Sequence, residues 1–288
     1  MAISVTSQEK EILSNVSIPP RPQALLKIAQ EAKKTEPNVK FIAETISEDA
    51  AIAAAVLQVV NSAAFARINK INSIQQAVMI LGIKRIFPLV KAVALKSALP
   101  ANNNLREFWQ SSSLVASACM LFCQALNKPE LTDNAYMLGL FHNAGIPLML
   151  QSFADYQQVL AQGVEQGWHD IPELERTQFK TSHTTLGALL GQQWNLPKAM
   201  IEVIYYYQDV DGIFESDELN RVSLYLLAIL KLARSAVDGI ISDEMNSLEW
   251  LAVEEGIAEF LDMDSIQLSD IRETVINQLA EQQNTINQ

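Results

Sequence analysis

Three histidines, His142, His169 and His183, and two cysteines, Cys119 and Cys123, are the nitrogen and sulfur donors that this 288-residue chain offers to a metal ion. A hydrolytic metal centre needs neutral imidazoles, anionic carboxylates and an open coordination position for water. His142 lies in GLFHNAG, where Asn143 stands where a carboxylate would complete a histidine–aspartate pair. An amide is uncharged and lacks the second anionic oxygen. His169 does precede an aspartate, Asp170, but Ile171 and Pro172 place that pair ahead of a helix rather than inside one. Cys119 and Cys123 are spaced i,i+4 on an apolar helix face, with no second Cys or His pair to complete a site, so they read as buried free thiols. Walker-A, G-x-G-x-x-G, G-x-S-x-G and H-E-x-x-H patterns are absent.

The elements that must position these residues are helical. Apolar residues recur with helical rather than alternating period. Leu25, Ile28, Ala29 and Ala32 share a face, as do Phe41, Ile42 and Ile46, and Ile52, Val56, Val59 and Val60. Thr6 and Glu9 have capping-box spacing; Ser73 opens a helix that stops at Gly82. Further helices are predicted over 84–98, 107–126, 134–143, 154–166, 172–193, 197–208, 217–238, 247–261 and 265–283, with Pro129 and Pro197 at breaks and Pro147 near a helix end. Gly187 and Gly191 in GALLG predict close helix packing, and Trp109, Trp168, Trp194 and Trp250 read as packing residues. With no strand pattern and no repeat, the fold class is all-α, a multi-helical bundle with two helical lobes.

Composition bounds the rest. Hydrophobic residues make up 49%, against only 10 Gly and 10 Pro, which favours a packed helical protein. No apolar run reaches the roughly 20 residues that span a bilayer, and MAISVTSQEK lacks the basic and apolar regions of a signal peptide, so a cytoplasmic protein is expected. A net charge of -12 argues against a global affinity for nucleic acid or anionic membrane. The charge is uneven: Ala50 to Arg106 contains no Asp or Glu but has Arg67, Lys70, Lys84, Arg85, Lys91, Lys96 and Arg106, whereas Asp209 to Glu281 has 17 acidic and 4 basic residues. Either the two regions complement each other, within one molecule or a dimer, or the basic one presents Arg67, Lys70, Lys84 and Arg85 to an acidic partner. The polar stretch LPANNNLRE (99–107) is the best internal boundary. The expected divisions are 1–102, 103–212 and an acidic helical segment, 213–288, docked through Leu248, Leu251, Ile257 and Leu261.

The succession IPPRPQALLKIAQ, FIAETISEDAAIAAAVLQVVNSAAF, INSIQQAVMILGIKRI, FWQSSSLVA, GLFHNAG and HTTLGALLGQQWNLP resembles the HDOD domain, over roughly residues 16 to 210. This is a bacterial signal-output relative of the HD metal-dependent phosphohydrolases. VVNSAAF with SIQQAVMILG is the most specific part. Read physically, Asn61 and Ser62 can bond nearby backbone and end a helix, and Leu81 and Gly82 can end another.

Carried over position by position, the resemblance implies a depleted metal site. Ser111 stands where a first ligand histidine is expected after the tryptophan. His142 keeps its place but its partner is Asn143, and the usual following lysine is Ile146. His183 matches the family's later histidine, Tyr206 and Tyr207 take the region of a downstream histidine pair, and Arg234 falls near the last helix aspartate. A hydroxyl is a poor ligand, a tyrosine must first lose a proton with a pKa near 10, and an arginine repels a cation. No metal and no cofactor is expected. The remnant pocket of Ser111, His142, Asn143, His183, Tyr206, Tyr207 and Arg234 either holds structural imidazoles or takes a small anion or nucleotide.

The resemblance therefore implies a non-catalytic signalling adaptor or output module. With no evident receiver or cyclase domain, it would act through protein partners in a bacterial pathway of the kind linked to cyclic dinucleotides. A divergent phosphohydrolase is the alternative. A nucleic-acid reader built on SIQQAVMILGIKRIF is disfavoured, because Ile80, Leu81, Ile83, Ile86 and Phe87 leave few polar side chains for base edges.

Overall fold

The computed structural model describes residues 16–61, 71–99, 105–166, 171–208, 212–241 and 247–286. Among the described residues all regular structure is helical: sixteen α-helices and one short 3₁₀ turn, with no strand. The described residues fall into two compact units, one within Pro19–Ala101 and the other within Asn102–Gln288.

The first unit holds α1 (Gln23–Glu31), α2 (Val39–Ser47), α3 (Ala50–Val60), α4 (Ile74–Leu81) and α5 (Ile83–Ala98). Side-chain caps start three of them. Asn38 accepts from the Phe41 amide, Asp49 from those of Ala51 and Ile52, and Ser73 from that of Gln76, each at 3.0–3.1 Å. Gly82 ends α4 at φ 72°, a conformation that costs a residue without Cβ nothing, and the chain turns directly into α5. Asn61 is a structural clasp. Its amide donates to the Leu57 and Ile71 carbonyls at 2.9 and 2.8 Å, and its Oδ1 accepts from the Ile71 amide at 2.7 Å. The core comes from Ile28, Ile42, Ile46, Val56, Val60 and Ile86, all essentially inaccessible. Phe41, expected on the buried face, is 38% exposed: the buried stripe of α2 is Ile42, Ala43, Thr45 and Ile46.

The second unit holds α6 (Arg106–Ala125), α7 (Thr132–Phe141), α8 (Gly145–Ser152), α9 (Tyr156–Gln166), α10 (Ile171–Phe179), α11 (His183–Gln193), α12 (Lys198–Tyr206), α13 (Arg221–Ile241), α14 (Leu248–Leu251), α15 (Glu254–Leu261) and α16 (Ser265–Ile286). The long α6 and α13 pack on each other and both meet α7 and α16. Two predicted helices are broken and a third ends early. The one expected over 172–193 stops at Phe179, where Lys180 takes φ 61°, and restarts at His183 under a Ser182 cap. The GLFHNAG helix ends at Phe141; Pro147 then lies in the first turn of α8, where its missing N–H is harmless. The 247–261 stretch divides into α14 and α15. Ile257 is buried as expected, but Leu251 is 55% exposed, and Trp250 and Val253 are buried in its stead.

Glycines set the closest approaches. A Cβ on Gly139 would lie 2.6 Å from Ala116 Cα, and one on Gly145 only 1.8 Å from the His183 carbonyl oxygen. Gly187 lies against Gly145 and Ile204, and Gly191 against Ile201, so the GALLG face packs on α8 and α12. Gly256 differs: a Cβ there would make ordinary contact with Phe214 at 3.5 Å. Gly145→Ala is therefore expected to cost about 1–3 kcal/mol by overpacking. Gly256→Ala, inside a helix, should be neutral or stabilise by up to ~1 kcal/mol. Urea unfolding of both variants checks this, and equal effects would contradict the packing described.

Candidate functional site

The glycine contact between α8 and α11 is what brings the two histidine segments together. His142 is the first residue past α7, its amide still bonded to the Leu138 carbonyl at 2.8 Å; Asn143 follows in the turn. His183 opens α11, and Tyr207 closes α12. Arg234 comes from the middle of α13. His142, Asn143, His183, Tyr207 and Arg234 are all buried, His183 and Tyr207 completely.

The hydrogen bonds settle which nitrogen of His142 carries its proton. Nδ1 lies 2.8 Å from the Gly139 carbonyl, which can only accept, so Nδ1 is the N–H. The bare Nε2 then accepts from Arg234 Nη1 at 3.1 Å. Burial first, then the Arg234 charge, push the imidazole down to about 3, so His142 is neutral at ordinary pH.

His183 is held from the other side. Glu175 of α10, fully buried, takes the His183 backbone amide at 2.9 Å, its Nδ1 at 2.8 Å and the Tyr156 hydroxyl at 2.5 Å. His183 Nε2 faces the Tyr207 hydroxyl at 3.0 Å; that hydroxyl also bonds Asn143 Oδ1 and accepts from Gln208 Nε2 at 2.8 Å. With Glu175 on Nδ1 and the Tyr207 hydroxyl on Nε2, neither ring nitrogen of His183 faces open space. Burial holds the Tyr207 hydroxyl well above the ordinary phenol range, so it stays protonated.

A carboxylate completes the cluster from α14. Glu249 takes Arg234 Nε at 3.2 Å and Nη2 at 2.8 Å, one on each oxygen, and Lys231 Nζ at 2.9 Å. Burial alone would raise its carboxyl; the Arg234 and Lys231 charges outweigh that and hold it far below the usual range. Arg234 and Lys231 also lie over the Tyr207 ring, each 5.7 Å from its centroid.

The donors present here do not suit a divalent cation. Among the described residues no group of three or more His, Cys, Asp or Glu side chains is placed to hold one. A dication about 4 Å from the guanidinium would meet a repulsion of roughly 8 kcal/mol at an effective dielectric near 20. Cys119 and Cys123 are buried on α6, where burial pushes the Cys123 thiol up to about 12, so neither is a ready ligand.

Other expected residues fall elsewhere. Ser111 is half-buried on α6 and makes no hydrogen bond to the cluster. Tyr206 turns away, its hydroxyl donating to Glu218 at 3.4 Å and its ring stacked edge-on with Tyr205. Lys84 is exposed and Arg85 half-buried at the start of α5; Arg67, Lys70 and the His169–Asp170 pair lie outside the described residues. Glu175, Glu249, Lys231 and Gln208 were not picked out from sequence. Their types are ordinary, and only the tertiary fold puts them beside the histidines.

This arrangement, a helical unit whose two histidine segments meet in one buried polar cluster, is an HD-like fold. The family model of the HDOD domain matches residues 18–210, and the chain belongs to that family. An uncharacterised protein of Treponema pallidum is 25% identical over 217 residues, covering 72% of this chain but 42% of its own, so the chain spans less than half of that curated relative. A solved structure from Shewanella amazonensis, provisionally named a phosphohydrolase, superposes with a TM-score of 0.69 at 22% identity, covering 94% of this chain and 97% of that one. Another from Marinobacter aquaeolei, provisionally named a signal transduction protein, gives 0.67 at 17% identity, over 99% of this chain and 62% of that one. At such identities these two structures establish the fold alone.

The buried neutral imidazole has a pH signature. Because the folded pKa of His142 lies below its unfolded value near 6.5, the unfolded state binds the extra proton between about 3 and 6.5. Its contribution is fully present above pH 6.5 and is lost as pH falls, and the depressed Glu249 adds to the loss below about 4.5. Between pH 6.5 and 5 the slope from His142 is up to about 1.4 kcal/mol per pH unit. His142→Asn is expected to flatten that slope in urea unfolding across the window. An unchanged slope would contradict a neutral His142.

Proposed function

We propose that this chain is a non-catalytic signalling output or adaptor module whose HD-type metal site is a remnant. The observation that carries this reading is the bond from Arg234 Nη1 to His142 Nε2, a guanidinium on the nitrogen lone pair that a metal would need. Asn143 removes the carboxylate that would favour a cation, and His183 is committed to Glu175 and Tyr207. HDOD family membership supports a signalling role, and no described helix is long and apolar enough to cross a membrane. In this reading the pocket residues keep a structural role and the partner is a protein of a bacterial signalling pathway, with a link to cyclic dinucleotides. Lys84 and Arg85, with Arg67 and Lys70 of the same acid-free stretch of sequence, are the basic residues proposed to meet such a partner. The protein is cytoplasmic, and its three segments, 1–102, 103–212 and 213–288, act as two lobes and an acidic C-terminal cover.

Metal analysis of the purified protein, combined with hydrolysis assays on phosphomonoesters, phosphodiesters and nucleotides, tests this. The expected result is substoichiometric Mn, Fe, Zn and Mg and no metal-dependent turnover. Stoichiometric metal with turnover that disappears in the His142→Ala, His183→Ala variant would replace this reading with a divergent phosphohydrolase.

A further inference from the structure

We propose that Lys231, Arg234, Ser235 and Trp250 form a binding site for a phosphate-class oxyanion, which the chain closes with its own Glu249. Arg234 presents Nε and Nη2 to the two oxygens of one carboxylate, and Lys231 adds a third donor, which is oxyanion recognition with an internal ligand in place. The site has more donors than that ligand uses. A cavity of about 10 Å³ lies beside it, lined by these residues with Asp238, Ser247, Glu249 and Val253. Two of its lining side chains, Ser235 and Trp250, are 3% and 1% exposed, and Ser235 Oγ and Trp250 Nε1 have no hydrogen-bond partner. Buried donors left unpaired are costly, and an acceptor in that cavity removes the cost.

The carboxylate has two oxygens and reaches only Lys231 and Arg234. Phosphate offers more oxygens around one centre, enough to serve all four side chains. Charge points the same way once Glu249 leaves: two buried cations then face only the half-exposed Asp238. His142 adds no charge, since it accepts from Arg234 as a neutral ring. The cavity holds one water-sized particle and no phosphate while Glu249 is in place. Entry therefore requires Glu249 to swing out, and binding is coupled to displacement of α14, a four-residue helix whose Leu251 already faces solvent. The inference rests on the metal-free reading of the pocket, because a cation beside Arg234 would offer the oxyanion a different partner.

The experiment uses the full chain in EDTA, with inorganic phosphate as probe and chloride at matched ionic strength as control. Binding is read by calorimetry and by the shift in unfolding temperature. Glu249→Gln keeps the side chain's size and removes its charge; Glu249→Ala also opens its space. Phosphate is expected to bind both at least tenfold more tightly than wild type. Adding Arg234→Met to Glu249→Gln should abolish the response. Equal responses to phosphate and chloride, or a phosphate response that survives loss of Arg234, would overturn the proposal; if Glu249→Ala fails to fold, Glu249→Gln decides. Metal content of the same samples before EDTA separates the two readings: metal-free protein that ignores phosphate sinks only this one, and metal-loaded protein sinks the reading beneath it.

Discussion

The buried cluster of the second unit is organised around the charge of one side chain, Arg234. The Arg234 guanidinium lies between the neutral Nε2 of His142 and the carboxylate of Glu249, with Lys231 beside it and the Tyr207 ring beneath. A buried guanidinium without a counter-charge costs several kcal/mol, so Glu249 is obligatory rather than decorative. That requirement ties a short helix of the acidic C-terminal region to the histidine turn. Removing either partner leaves an uncompensated buried charge.

The same interaction explains why the rest of the cluster can be made of neutral donors and acceptors. Beside that fixed monovalent charge His142 serves as an acceptor, Asn143 as a hydrogen-bonding amide and Tyr207 as a protonated hydroxyl. Glu175 holds the His183 side through three donors, the His183 amide, its ring Nδ1 and the Tyr156 hydroxyl, in a fully buried setting where water cannot compete. Glycine 145 matters as much as any of these polar residues. Without a Cβ it lets α8 rest on the first turn of α11, and that contact sets the distance between the two histidine segments.

Much of the helical architecture was legible in the sequence, because capping residues and terminators are local. Ser73 with Gly82 bounded α4 correctly, and Asn61 proved to be the joint its type and position suggested. The errors share a physical cause. A continuous apolar period does not reveal a single residue at positive φ, so the break at Lys180 was hidden, as was the turn through His142 to Ala144. In the C-terminal helices Ile257 is buried as expected but Leu251 is not, because Trp250 takes the inner position, its ring buried under the Arg272 guanidinium at 4.0 Å. In the pocket, His142, Asn143, His183, Tyr207 and Arg234 were found through family resemblance. Glu175 and Glu249 were not, since a buried carboxylate looks like any surface glutamate until its partners are known.

The claim that Arg234 occupies the metal-binding nitrogen of His142 is tested most directly by nitrogen NMR of the histidine side chains in ¹⁵N-histidine-labelled protein. The account predicts that His142 remains the Nδ1–H tautomer at pH 7, with an unprotonated Nε2, and that added Zn²⁺ leaves that resonance in place. A stoichiometric Zn²⁺-induced shift of Nε2 in His142 and His183 together would show that both lone pairs are free to converge on a metal, and would contradict it.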